Sequence, residues 1–142
     1  MLTTSRAAAR SASLKIHSDW VGNKGASAEA LEALRVAAPK HLPVDYYQLL
    51  EFSDGGECPL SAPPFNFCLD SVDMASDVEQ IAIFNRIAPS LFVFGSDGGG
   101  QLFAFDLHGA EPWPIVTFDG VDPDGSIKTV ESSFTEFLKL VG

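Results

Sequence analysis

Leu91–Asp119 reads LFVFGSDGGGQLFAFDLHGAEPWPIVTFD, and its punctuation decides the fold. Three apolar, aromatic-rich runs stand out: Leu91–Phe94, Leu102–Phe105 and Trp113–Phe118. Turn residues separate them, first Gly95-Ser96-Asp97-Gly98-Gly99-Gly100 and then His108-Gly109-Ala110-Glu111-Pro112. Short apolar runs bounded in this way predict three consecutive antiparallel strands, a meander. A meander alone leaves its apolar faces in water, so the flanking segments must cover them. The glycine loop has no Gly-Lys-Ser/Thr, and a strand follows it rather than a helix start. Backbone N–H groups would therefore not gather on a phosphate. A wide hairpin with glycines at positive φ is expected instead.

Upstream, Ser27 stands as an N-cap before Glu29, and Leu31, Leu34 and Ala38 form one apolar stripe that Pro39 ends, predicting a helix. A second helix is expected from Leu42-Pro43-Val44, with Pro43 at its first position and Tyr46, Leu49 and Leu50 at helical spacing. Asp54-Gly55-Gly56 should stop it, Gly55 acting as a left-handed cap. Pro59–Pro64 reads as a loop, and Phe65-Asn66-Phe67-Cys68-Leu69 as a strand with Phe65, Phe67 and Leu69 on one face. Ser71–Ala88 reads as one helix, with Val78, Ile81, Ala82 and Asn85 on one side and Pro89 at its end. After the meander come a turn at Gly120–Gly125, a strand at Ile127–Val130 and a last helix. Ser133 and Glu136 have capping-box spacing, and Phe134, Phe137, Leu138 and Val141 make its stripe. The expected class is α+β: an antiparallel sheet of about four to six strands around the three-strand meander, covered by helices on one side.

The chain has 142 residues, enough for one domain burying about 68–70 % of its unfolded surface. Eleven Phe supply that core, since each buried ring removes about 150–250 Å² from water. The formal charge of −10 is unevenly placed. Residues 41–142 hold three basic residues against sixteen acidic ones, a net of −13. Such a body repels nucleic acid and anionic membranes and steers a basic partner towards itself. No run reaches the 18 apolar residues of a membrane span. Residues 1–13 are rich in Arg, Ser and Ala without an acid, and read as a frayed tail or, alternatively, a targeting segment. A cytoplasmic protein is expected. Cys58 and Cys68 have neither CxxC nor zinc spacing, which favours two free thiols over one disulfide.

Chemistry-bearing patterns are sparse. His17, His41 and His108 are scattered, and no Ser or Cys sits in a nucleophile elbow. With Gly125 at the sixth position of a calcium loop, Asp122, Asp124 and Glu131 fall on ligand positions. Gly120 then takes the first ligand position and a strand precedes the loop, so a hairpin turn with exposed acids is the better account. No cofactor is expected, and neither an acid–base carboxylate pair nor a catalytic residue is singled out.

Leu42-Pro43-Val44-Asp45-Tyr46-Tyr47 through Asp54-Gly55-Gly56-Glu57 resembles the opening signature of the SMI1/KNR4 (SUKH) family. Pro89–Gly100 followed by Phe103-Ala104-Phe105-Asp106 is similar to its central block. Trp113–Val116 and Ser133–Leu138 are similar to its closing elements. Together these span about residues 28–140, leaving 1–25 as a flexible or loosely packed segment and 26–142 as the domain. The resemblance implies a non-catalytic α+β binding domain. Many bacterial members are immunity proteins that neutralise toxins, often nucleases, of polymorphic toxin systems, and fungal members are regulatory scaffolds of cell-wall synthesis. An immunity protein is therefore expected, with a general regulatory domain as the alternative and a calcium binder or carboxylate enzyme as a distant third. Gly55, Gly56, Gly98, Gly99 and Gly100 carry over as structural turn positions. Asp54, Glu57, Asp97 and Asp106, acids near the loops, are the candidate contacts for a basic toxin domain.

Overall fold

The three apolar runs pair as a meander in the computed structural model, which describes residues 19–141. Strands β4 (Leu91–Ser96), β5 (Gln101–Asp106) and β6 (Ile115–Asp119) follow one another antiparallel. They form the centre of a seven-stranded sheet whose spatial order equals its chain order. On one side lie β3 (Asn66–Leu69), β2 (Gly56–Pro59) and β1 (Val21–Gly22), and on the other β7 (Lys128–Glu131). The described helices are α1 (Ala28–Ala37), α2 (Val44–Phe52), α3 (Val72–Ala75), α4 (Val78–Ile87), α5 (Pro123–Ser126) and α6 (Phe134–Leu138). The α+β class stands. The sheet is wider than expected because β1 and β2 are built from Val-Gly and Gly-Glu-Cys-Pro, which carry almost no strand signal.

Strand alternation assigns the apolar residues to two faces. On the inner face Phe67, Phe94, Phe103 and Phe105 interlock with Tyr46 of α2 and with Phe134 and Phe137 of α6, all fully buried. Their contacts are largely edge-to-face: Phe67 meets Phe103 at 5.2 Å and 84°, and Phe137 at 5.1 Å and 86°. Each such pair contributes about 0.5–1.5 kcal/mol beyond the area it buries. Leu31 and Leu34 of α1 and Leu49 and Leu50 of α2 close this layer. Helix starts are capped as read from the sequence: Ser27 Oγ accepts from the Ala30 amide at 3.1 Å, and Ser133 Oγ from the Glu136 amide at 3.2 Å. The Glu136 carboxylate bonds Lys139 Nζ at 2.8 Å.

On the outer face Leu91, Ala104, Val116 and Phe118 make a second, smaller cluster with Ala88 at the end of α4. The helices are therefore not all on one side. Nor is Ser71–Ala88 one helix. Ser71 caps α3, and Asp77 Oδ1 accepts from the Glu79 and Gln80 amides at 2.9 and 3.3 Å, starting α4 anew. Two strong cap residues six apart each stop the preceding turn by offering its successor a start. The stripe of α4 that packs inward is Ile81, against the larger cluster, and Phe84, against the smaller one, while Val78, Ala82 and Asn85 are exposed.

Phe65 also departs from expectation. It is 62 % exposed at φ 70° and closes the turn after Pro63-Pro64. Two prolines have no N–H to give a ladder, so pairing begins only at Asn66 opposite Pro59. Trp20 packs on Phe52 and Phe67, and Val21 and Gly22 pair with Glu57 and Gly56. The readings made for residues 1–18, His17 among them, lie outside the described residues.

Candidate functional site

The acids near the loops fall into separate places. Asp54 Oδ1 accepts from the Val72 amide at 2.7 Å, tying the end of α2 to the start of α3. Gly55 and Gly56 carry the chain onward at φ 89° and 147°. At Gly56 a Cβ would come within 2.6 Å of the Trp20 ring, so both the backbone and the space demand glycine. Glu57 Oε2 accepts from Asn66 Nδ2 at 3.0 Å, and the same Nδ2 donates to the Asp97 carbonyl at 3.0 Å. Asn66 thus joins the β2–β3 and β4–β5 hairpins and brings Glu57 and Asp97 together. The Asp97 carboxylate accepts from the Gly99 and Gln101 amides at 2.7 and 3.2 Å, which fixes the glycine turn. Within that turn only Gly98 has positive φ, at 84°, and a Cβ on Gly100 would meet nothing. Asp106 lies at the far end of β5, about 17 Å away by strand rise. There it holds His108, with Nδ1 2.6 Å from its Oδ1.

Asp122 precedes the short α5 and Asp124 lies within it, while Glu131 ends β7, about 10 Å along the strand from Lys128. Among the described residues no three His, Cys, Asp or Glu side chains gather as a metal site. The turn is organised by Ser126, whose hydroxyl donates to the Asp122 carbonyl at 2.6 Å and accepts from the Asp119 amide at 2.7 Å. The cysteines are free. Cys58 faces Phe67 in register and Cys68 faces Glu57, so alternation puts the two thiols on opposite faces of the β2–β3 ribbon. Burial pushes both thiols up, which keeps them protonated and poorly nucleophilic.

A feature missed in the sequence lies on the outer face. No residue of α4 is buried. Between α3, α4 and β4 runs a groove of about 1060 Å³, with Met74, Val78, Ile81, Val93 and Leu102 along it. The half-buried carboxyl of Asp70 also opens into it. The Asp70 backbone N–H donates to the Phe94 carbonyl at 3.0 Å, but among the described residues nothing hydrogen-bonds the carboxylate. Burial pushes this carboxyl up to about 6. Behind it the Tyr46 hydroxyl is fully buried without a hydrogen-bond partner. Burial raises the Tyr46 pKa, and the nearby Asp70 carboxylate adds to the effect. In sequence Asp70 is an acid between a strand and an N-cap, which reads as a solvated turn. In the fold it is half-buried, its backbone tied to β4 through Phe94.

No helix among the described residues is long and apolar enough to cross a membrane. Nothing among the curated proteins matches the chain. The model of the SMI1 / KNR4 family (SUKH-1) matches residues 25–140. That span takes in both sheet faces, the hairpin acids and the outer groove, and the chain belongs to the SMI1/KNR4 family.

Proposed function

We propose that this chain is a non-catalytic protein-binding domain serving as an immunity protein, neutralising a basic toxin domain of a bacterial polymorphic toxin system. Family membership supports a protein-interaction or immunity-type role. The observation that carries the finer reading is the charge of the body, three basic residues against sixteen acidic ones over 41–142. An inhibitor must reach its toxin before the toxin acts, and opposite charge raises association rates towards about 10⁸–10⁹ M⁻¹s⁻¹. The Glu57–Asn66–Asp97 junction supports it further, because acids held by hydrogen bonds lose little side-chain entropy on docking.

The test is co-expression with a nuclease-like or other toxin domain taken from the gene next to the one for this chain. Restored growth is expected, together with an association rate that falls at least tenfold between about 20 and 300 mM salt. Growth that stays arrested, or a rate indifferent to salt, overturns the reading.

A further inference from the structure

Among the described residues, the outer groove combines accessible apolar side chains with a carboxylate that no described group hydrogen-bonds. Its apolar side chains are accessible: Met74 is 60 % exposed and Val78 68 %. Its volume is at or above the upper end of small-molecule pockets, about 300–1,000 Å³. The lining is mixed along its length: Lys40, Gln80, Asn85 and Ser96 stand with Met74, Val78, Ile81 and Val93. Of its two carboxylates, Asp77 is taken up by the Glu79 and Gln80 amides, while no described group hydrogen-bonds the side chain of Asp70. That combination suits a chain segment with several apolar side chains and one cation better than a metabolite.

Charge says which kind of segment. Asp70 and Asp77 line the groove, while Asp73 on the first turn of α3 and Glu79 on the first turn of α4 stand next to lining residues in the chain. Against them stand Lys40 and His108 at the margins. We infer that the groove between α4 and the outer sheet face binds an amphipathic segment of a protein partner. Its apolar side chains lie on Met74, Val78 and Val93, and one lysine or arginine pairs with Asp70.

This deepens the protein-binding reading above and rests on it. An apolar surface alone would attract many partners. A half-buried carboxylate rejects those that bring no cation, because closing the groove would then strand a charge. Arginine suits the position best, since its planar guanidinium satisfies both carboxylate oxygens at once.

The probe is a displayed library of random 16-residue peptides, selected on the full chain at pH 7.5 and 150 mM salt. The best binder is synthesised and its Kd measured by fluorescence anisotropy. The selected peptides are expected to share one Lys or Arg among spaced apolar residues. Affinity should fall at least tenfold on Asp70→Asn and at least fivefold on Met74→Lys, and change less than twofold on Asp124→Asn. A scrambled peptide of equal composition should bind at least tenfold more weakly, which separates the groove from general attraction to an acidic protein.

Selection of no binder overturns the inference. So do binders without a basic residue, affinities that Asp70→Asn leaves within twofold, or a concentration-dependent dimer in which a second copy fills the groove. Peptide binding as described with failed protection in the co-expression test would sink the immunity reading alone. Protection that is indifferent to Asp70→Asn and Met74→Lys would sink the groove alone.

Discussion

The two faces of one sheet obey different rules. On the inner face the rings of Phe67, Phe94, Phe103, Phe105, Phe134 and Phe137 each meet several others, and all of them are fully buried in a cluster that α1, α2 and α6 help to close. On the outer face α4 packs on the smaller cluster through Phe84, with Ala88 just past its end, and leaves a groove beside it. A layer closed by interlocking rings is suited to holding a shape. A layer half closed, with a carboxylate inside, keeps surface available for something else. If the groove binds as proposed, stability and recognition lie on opposite faces of one sheet, and substitutions on the two faces should behave differently.

The largest difference is expected from ring deletion. Phe94 is fully buried and contacts Tyr46, Phe67, Phe103, Phe105, Phe134 and Phe137. Phe94→Ala should cost about 3–5 kcal/mol, because rigid neighbours cannot collapse into the hole. Phe84→Ala on the outer side should cost only about 1 kcal/mol, since that ring is already partly in water. Urea denaturation of both variants checks this. Equal losses would mean that the outer layer is as much a core as the inner one.

Asp70 comes next, and its effect has the opposite sign. The carboxyl titrates at about 6 in the folded protein against 3.8 as its ordinary value. Between those values the unfolded chain ionises while the folded one holds its proton, so this group makes stability fall as pH rises. Above the folded value the penalty levels off at about 3 kcal/mol. Asp70→Asn cannot ionise, so it should stabilise the protein by up to about 3 kcal/mol at pH 7.5 and by almost nothing at about pH 3. The readout is the difference between variant and parent across pH, which cancels the other carboxylates. A variant less stable than the parent at pH 7.5 would mean that the carboxylate is held by groups that favour its charge. A residue that weakens the fold while facing a groove is what a binding site retains at the expense of stability.

How far these features were legible follows from the range of the signals. The meander was readable because Leu91–Phe94, Leu102–Phe105 and Trp113–Phe118 are apolar on both faces and bounded by glycine and proline, a local pattern. Ser27 and Ser133 announced their helices for the same reason, each cap acting within three residues. Strand β2 was hidden because Gly56-Glu57-Cys58-Pro59 pairs only through neighbours that the sequence does not name. Phe65 misled because alternation extends through it, while the two prolines before it settle where the ladder can begin. Of the acids, Glu57 and Asp97 were readable as loop residues, but their junction depends on Asn66, which looks like any strand residue. Asp70 was the least legible, because its burial comes from tertiary packing that no local pattern records.

The smallest effect tests whether α4 is a separate unit. Ser27 and Asp77 cap helices of equal length, α1 and α4, yet α1 buries Leu31 and Leu34 and α4 buries nothing. Replacing either cap by Ala should cost its helix about 1 kcal/mol. For Ser27→Ala that loss should appear in global stability, because α1 cannot open without exposing the inner core. For Asp77→Ala the urea midpoint should hardly move, while amide exchange over residues 81–87 speeds up about fivefold, the factor corresponding to 1 kcal/mol. Uniform exchange and equal global losses in the two variants would bind α4 to the main unit and make the groove a rigid slot. Exchange confined to α4 would make it a wall that adjusts to its occupant, at a cost that Asp77 keeps small by holding the helix formed while the groove is empty.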